Sequence, residues 1–273
     1  MSKKQIEIFA PIMAVLTALI IGGIIIQLNG VNPFAAYGQL FKSAFYQANP
    51  KAPFMSGLAK TLLTATPMIF AGLAVMMAFK AGLFNIGGQG QMIMGGLAAA
   101  VVGIYVKNVL FGNFVVAIIA AGIAGFLWAS IAGILKAKFG VHEVISTIML
   151  NYIAINLQNY LLNYPIKDPA SQNVQTMKVW EPARLFLLAP GTKQKLNFGF
   201  ILAIIAVIIV WYFFNKTKQG YEMTAVGLNS TAAENAGIKI KRNIILAMGL
   251  AGMLAGIGGA ERVLGGSAQY TYT

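Results

Sequence analysis

Long apolar runs, separated by polar segments, dominate this chain. The runs are Ile8–Leu28, Leu58–Phe79, Gly87–Val106, Asn113–Leu135, Val144–Leu162, Phe198–Phe214 and Ile244–Ala260. Each approaches the ~20 residues that a helix needs to cross ~30 Å of hydrocarbon. Backbone in hydrocarbon must satisfy its own polar groups, so runs of this kind fold as helices. Composition agrees: 58% of the 273 residues are hydrophobic and 10% charged, against roughly a quarter charged in soluble domains. The expected fold class is an all-α polytopic membrane protein with about seven apolar segments, forming one transmembrane domain over residues 1–273. Lys3 and Lys4 precede a first run that is long enough to span and lacks a small-residue cleavage site. It reads as a helix rather than a signal peptide.

The net charge of +13 comes from basic residues scattered between apolar runs. That is charge flanking membrane spans, and nucleic acid is not an expected partner. With N-terminus inside, the short loops place Lys80, Lys136, Lys138, Lys216, Lys218, Lys239, Lys241 and Arg242 on the cytoplasmic side. The chain has no cysteine and one histidine, His142. The string HEVIS resembles the start of a zinc-protease HExxH, but Ser146 stands where the second histidine belongs. No metal site and no nucleophile–base pair is expected.

The stretch Lys80–Gly96, KAGLFNIGGQGQMIMGG, departs from the apolar pattern. Asn85, Gln89 and Gln91 carry donors and acceptors that lipid cannot satisfy, and the glycines allow bends and close approach. Irregular polar backbone at membrane depth is tolerated only where protein or a water-filled path surrounds it. Two readings fit: a broken helix on a solute path, or a cytoplasmic turn over Ala81–Gly90. In the fifth run Thr147, Asn151 and Gln158 share a helix face that must look inward, toward a cavity or as interhelical glue. Ala117, Ala121, Gly125, Ala129 and Gly133 recur at spacing four, a small-residue stripe that lets helix backbones approach; Gly252, Gly256 and Ala260 repeat the spacing in the last run. Pro67 should kink the second run.

Gln219–Asn243 is broken by Gly220 and Gly227, and Asn229 or Ser230 can cap a short helix over Thr231–Asn235. Such a helix between two spans has the form of a docking element.

GLFNIGGQGQ and YEMTAVGLNSTAAENAGI together resemble the permease subunits of ABC importers for nucleosides and simple sugars, a branched-chain amino acid permease-like family. FNIGGQGQ is similar to that family's FNIG signature. AVGLNSTAAENAGI is similar to its cytoplasmic coupling loop (residues 215–243), with Ser230 where proline is common. HEVISTIMLNYIA resembles the segment found in the nucleoside branch. The resemblance implies a permease subunit in a bacterial plasma membrane, not itself an enzyme, whose path is lined by Asn85, Gln89, Gln91 and Asn151. It implies a coupling element carried by Gly227, Asn229, Ala232, Ala233 and Gly237. It further implies partners: an ABC ATPase subunit that uses the ATP, a second permease subunit in a homo- or heterodimer, and an extracytoplasmic substrate-binding protein. No cofactor is bound by this chain. Glu261 and Arg262 are expected to neutralise each other. Relatives continue beyond the equivalent of Glu261–Thr273, so the chain is expected to be C-terminally incomplete. Sugars or branched-chain amino acids stay open as solutes. An ion-coupled secondary transporter is the rival from another class, and it would need an intramembrane carboxylate.

Overall fold

The computed structural model describes residues 3–45, 56–107, 112–188, 195–267 and 269–270. The described elements are helical, apart from two isolated β-bridges, Lys167–Thr176 and Leu187–Asn197. Four helices are long and apolar enough to cross a membrane: α3 (Ser56–Lys80), α5 (Asn113–Phe139), α7 (Gly199–Lys216) and α10 (Ile240–Glu261, with its continuation to Gly266). A bent pair, α1 (Lys3–Leu28) and α2 (Pro33–Phe45), adds a fifth span if it crosses as one unit. The chain is thus an all-helical, multi-pass membrane protein. Two further expected segments form helices, α4 (Gly88–Tyr105) and α6 (Glu143–Asn163). Their carboxamides (Gln89 and Gln91 in one, Asn151, Asn156, Gln158 and Asn159 in the other) leave them less apolar than the rest.

The chain divides into two compact units, one made mainly of residues 1–61 and the other mainly of residues 62–273. In the first, α1 and α2 bend by 115° at a turn where Gly30 takes φ +79. Asn32 caps α2 by accepting from Phe34 N–H at 2.9 Å, and Tyr37 O–H donates back to the Leu19 carbonyl at 2.7 Å. Between the first two apolar runs, Pro33–Phe45 is therefore the helix α2. The exposed Ile, Leu and Val side chains of α1 are what a lipid-facing helix presents.

In the second unit the core is a three-helix seam of α4, α5 and α10. The stripe Ala117, Ala121, Gly125, Ala129 and Gly133 is buried throughout. A methyl group on Gly125 would strike the Gly252 carbonyl, and one on Gly252 would strike that of Gly125. One on Gly95 of α4 would strike the Gly256 backbone of α10. The backbones meet because no side chain stands between them, as membrane helices require when lipid supplies no hydrophobic drive. Pro67 lies inside α3, which continues as one helix from Ser56 to Lys80.

Residues 164–188 form turns, bends and irregular backbone, with a short 3₁₀ turn at Glu181–Ala183, and are pinned to the helices by their backbone. Trp180 N–H donates to the Gly103 carbonyl (3.0 Å), Leu185 N–H to that of Leu264 (3.1 Å), and Thr176 N–H to that of Tyr270 (3.0 Å). Val179 is fully buried against Gly103. After Glu261 the helix α10 widens into a π-helical turn, Arg262–Ser267. Turns of this kind recur at functional sites.

Candidate translocation site and coupling element

The polar stretch of the sequence joins α3 to α4 through a non-helical segment in which Leu83, Asn85 and Gly87 are buried while Gly82, Phe84 and Ile86 are exposed. Helix α3 ends at Lys80, where Ala81 and Gly82 N–H groups and then Leu83 N–H cap its last carbonyls, with Gly82 at φ +72. Leu83–Ile86 then runs without helical hydrogen bonds, and Leu83 and Asn85 are buried. Helix α4 begins at Gly88 with no side-chain cap of its own. Its cap comes from α6 instead: Asn151 Oδ1 accepts from Gly90 N–H at 2.8 Å while Asn151 Nδ2 donates to the Ile86 carbonyl at 3.0 Å.

This geometry fixes the level of the break along α6. The Phe84 amide faces the Glu143 carboxylate at the first residue of α6. Asn151 lies eight residues further on, or ~12 Å at 1.5 Å per residue. The segment between α3 and α4 is thus held against α6 by two of its side chains, Glu143 and Asn151.

The carboxamides divide into two groups. Asn85 and Gln91 pair with each other: Asn85 Nδ2 donates to Gln91 Oε1 (3.1 Å) and Gln91 Nε2 donates to Asn85 Oδ1 (2.9 Å). Asn85 Oδ1 also accepts from Gly87 N–H at 3.0 Å, closing the turn into α4. Gln91 is 1% exposed, and Gln91 and Asn151 both hold the break in shape. Gln89 is exposed and lines a cleft of about 550 Å³, together with Asn85, Ile86, Met92, Arg262 and Tyr270. A second lobe of about 520 Å³, with Thr64 and Pro67 of α3 in its wall, meets the first at Ala71, Met92 and Arg262.

Two cleft residues, Arg262 and Tyr270, were not legible as such in the sequence. Glu261 and Arg262, expected to neutralise each other, interact through their charges but form no salt bridge among the described residues. Glu261, 4% exposed, accepts from Asn197 Nδ2 at 2.8 Å, and Asn197 Oδ1 accepts from Gly199 N–H at the start of α7. Adjacent residues on a helix point in different directions, so Glu261 finds its hydrogen-bond partner elsewhere in the chain. Tyr270 donates its O–H to Gln158 Oε1 at 3.0 Å, and its ring closes over Gly96.

The segment after α7 is more helical than its glycines suggested. Gly220 and Gly227 lie inside α8 (Lys218–Leu228) rather than breaking it. They are glycines because other backbone lies against them: Phe213–Phe214 against Gly220, and the Lys80–Gly82 turn against Gly227. Asn229 Oδ1 accepts from Ala232 N–H at 3.0 Å and caps the six-residue helix α9 (Ser230–Asn235). Ala233 is buried and Ala232 exposed, and Gly237 leaves α9 at φ +81. Asn243 of α10, fully buried, accepts from Gln219 Nε2 and donates to Glu222 Oε2 at 3.4 Å, so that α8 is tied to α10. The α8–α9 segment thus abuts the turn that leads directly into the broken helix.

Residues 57–270 match the family model described as the permease component of branched-chain amino acid transport systems. The chain belongs to this permease family. It is 37% identical to the guanosine ABC transporter permease protein of Bacillus subtilis, over 97% of this chain and 74% of that one. It is 34% identical to the nucleoside ABC transporter permease protein of Lactococcus lactis, over 95% of this chain and 71% of that one. It is 33% identical to the glucose ABC transporter permease protein of Haloferax volcanii, over 95% and 69%. No solved structure matches the chain. As a member of this family it is a permease component of ABC transport. Its basic residues Lys80, Lys216, Lys218, Lys239, Lys241 and Arg242 flank the α8–α9 end of the permease.

Proposed function

We propose that this permease forms half of the solute path of an ATP-driven importer for nucleosides or related sugar-type solutes, in a bacterial plasma membrane. The supporting observation is a helix break that lines a carboxamide-bearing cleft while its leading turn rests on α8. Residues 1–273 act as one permease domain with about seven membrane segments, α4 and α6 included. Gln91, Asn151 and Gln158 among their carboxamides are satisfied by Asn85, by the Ile86–Gly90 backbone and by Tyr270. Gln89 and Asn85 face the solute, while Gln91 and Asn151 keep the path open by holding the break.

The coupling element is the α8–α9 segment. A separate ABC ATPase subunit docks on it through Ala232, with Gly227, Asn229, Ala233 and Gly237 fixing its shape. A second permease subunit encloses the path, and an extracytoplasmic binding protein delivers solute near the 164–197 segment. ATP binding drives the permease between discrete packings because the ATPase has different affinity for the two states. The names of the relatives from Bacillus subtilis and Lactococcus lactis support nucleosides, and that from Haloferax volcanii supports a sugar.

The test is ATP-dependent uptake of radiolabelled nucleoside in membrane vesicles that hold the whole assembly, with Ala232→Arg as the variant. Ala232 is exposed, so arginine there blocks docking without disturbing packing, whereas Ala233 is buried. Uptake lost in the variant at unchanged membrane abundance supports the reading. Uptake that ignores the variant and collapses with an ionophore sinks it in favour of ion coupling.

A further inference from the structure

The polar groups around the cleft are unequal in what they have left to offer. The Asn85 amide is committed to Gln91 and Gly87, the Tyr270 hydroxyl to Gln158, and the Gln269 amide to the Thr176 carbonyl at 3.2 Å. Among the described residues, the Gln89 carboxamide and the Arg262 guanidinium have no hydrogen-bond or ion-pair partner. Both are exposed to the cleft. Arg262 also lines the second lobe, so it stands where the two lobes join. It opens the π-helical turn, whose backbone is held by Leu185 N–H on the Leu264 carbonyl and Lys195 Nζ on that of Gly266.

From this we infer that Arg262 is the specificity-determining residue of the cleft and that it selects nucleosides of 6-oxopurines. The inference rests on the nucleoside reading above. A guanidinium offers two parallel N–H donors and no acceptor. It matches a solute edge with two adjacent acceptors, which a 6-oxopurine presents at O6 and N7. The corresponding adenine edge carries a donor at N6, which the guanidinium cannot accept. The apolar wall of Val75, Ile86, Met92, Ile93 and Val263 suits the flat face of a base. Gln89, with both a donor and an acceptor, is left for the sugar hydroxyls.

The experiment measures uptake of labelled guanosine and labelled adenosine by the complete transporter in vesicles, for the wild type, Arg262→Lys and Arg262→Gln. The guanosine-to-adenosine ratio is the readout, since it is independent of expression level. Both variants should lower it roughly 5- to 150-fold, the equivalent of the ~1–3 kcal/mol that one bidentate contact contributes to discrimination. Lysine keeps the charge and loses the fork, so a ratio restored by Arg262→Lys overturns the fork in favour of simple charge. A ratio unchanged in both variants, or an equal loss of both nucleosides, overturns the inference while leaving the permease reading intact. Wild type that imports no nucleoside overturns the nucleoside reading itself.

Discussion

The Asn151 side chain caps a helix to which it does not belong, and removing it isolates the cost of the break. In Asn151→Leu, the Gly90 N–H at the start of α4 loses its acceptor and the Ile86 carbonyl loses its donor. Gly90 is buried, and an unsatisfied buried group costs about 1–3 kcal/mol. Ile86 is 40% exposed, so its carbonyl can be satisfied in part by water in the cleft and adds well under ~1 kcal/mol. The expected loss is about 2 kcal/mol, or roughly 4–8 °C in Tm for a helical unit of this size. Asn156→Leu is the matched control. It makes the same chemical change on the same helix, but Asn156 is exposed and its Nδ2 donates only to the Tyr152 carbonyl one turn back. Its effect should stay within ~0.5 kcal/mol. Thermal unfolding of the two variants in detergent, followed by size-exclusion of the surviving fraction, reads the difference. Equal Tm values for Asn151→Leu and Asn156→Leu would refute the idea that α4 is capped from α6.

Two other outcomes follow from the backbone contacts. Gly252→Ala would press a methyl group onto the Gly125 carbonyl and the Ala129 side chain, where no flexible atom can yield. It should cost at least ~2 kcal/mol by overpacking, seen as a lowered detergent Tm, whereas alanine at Gly38, which meets nothing within 4 Å, should be neutral. Gly227→Ala would place a methyl group against the Lys80 carbonyl and the Gly82 amide. Because that turn leads into the break, ATP-dependent uptake should fall at least ~10-fold while the membrane abundance of the protein holds; uptake at the wild-type rate would show that this contact does not transmit motion.

The sequence revealed the helices and the small-residue stripe because both are periodic and local. Ala117 through Gly133 at spacing four sufficed to foresee a backbone seam. The carboxamides were legible as inward-facing, yet their division of labour was not. Asn151 lies 61 residues from Gly90, and no local pattern distinguishes a side chain that caps a distant helix from one that faces solute. The same limit applies to Glu261, whose partner Asn197 is 64 residues away, while the neighbouring Arg262 was the partner that adjacency suggested. Gly220 and Gly227 were read as breaks because glycine weakens helices. Their actual reason is steric and comes from a different part of the chain.

The glycine seam also constrains how such a molecule can move. Where Gly125 and Gly252 put carbonyl against backbone, there are no side chains to slip from one rotamer to another, and a small axial shift would drive a carbonyl oxygen into the facing backbone. Helices α4, α5 and α10 therefore behave as a single plank. Relative motion among these three helices would have to break the glycine contacts first.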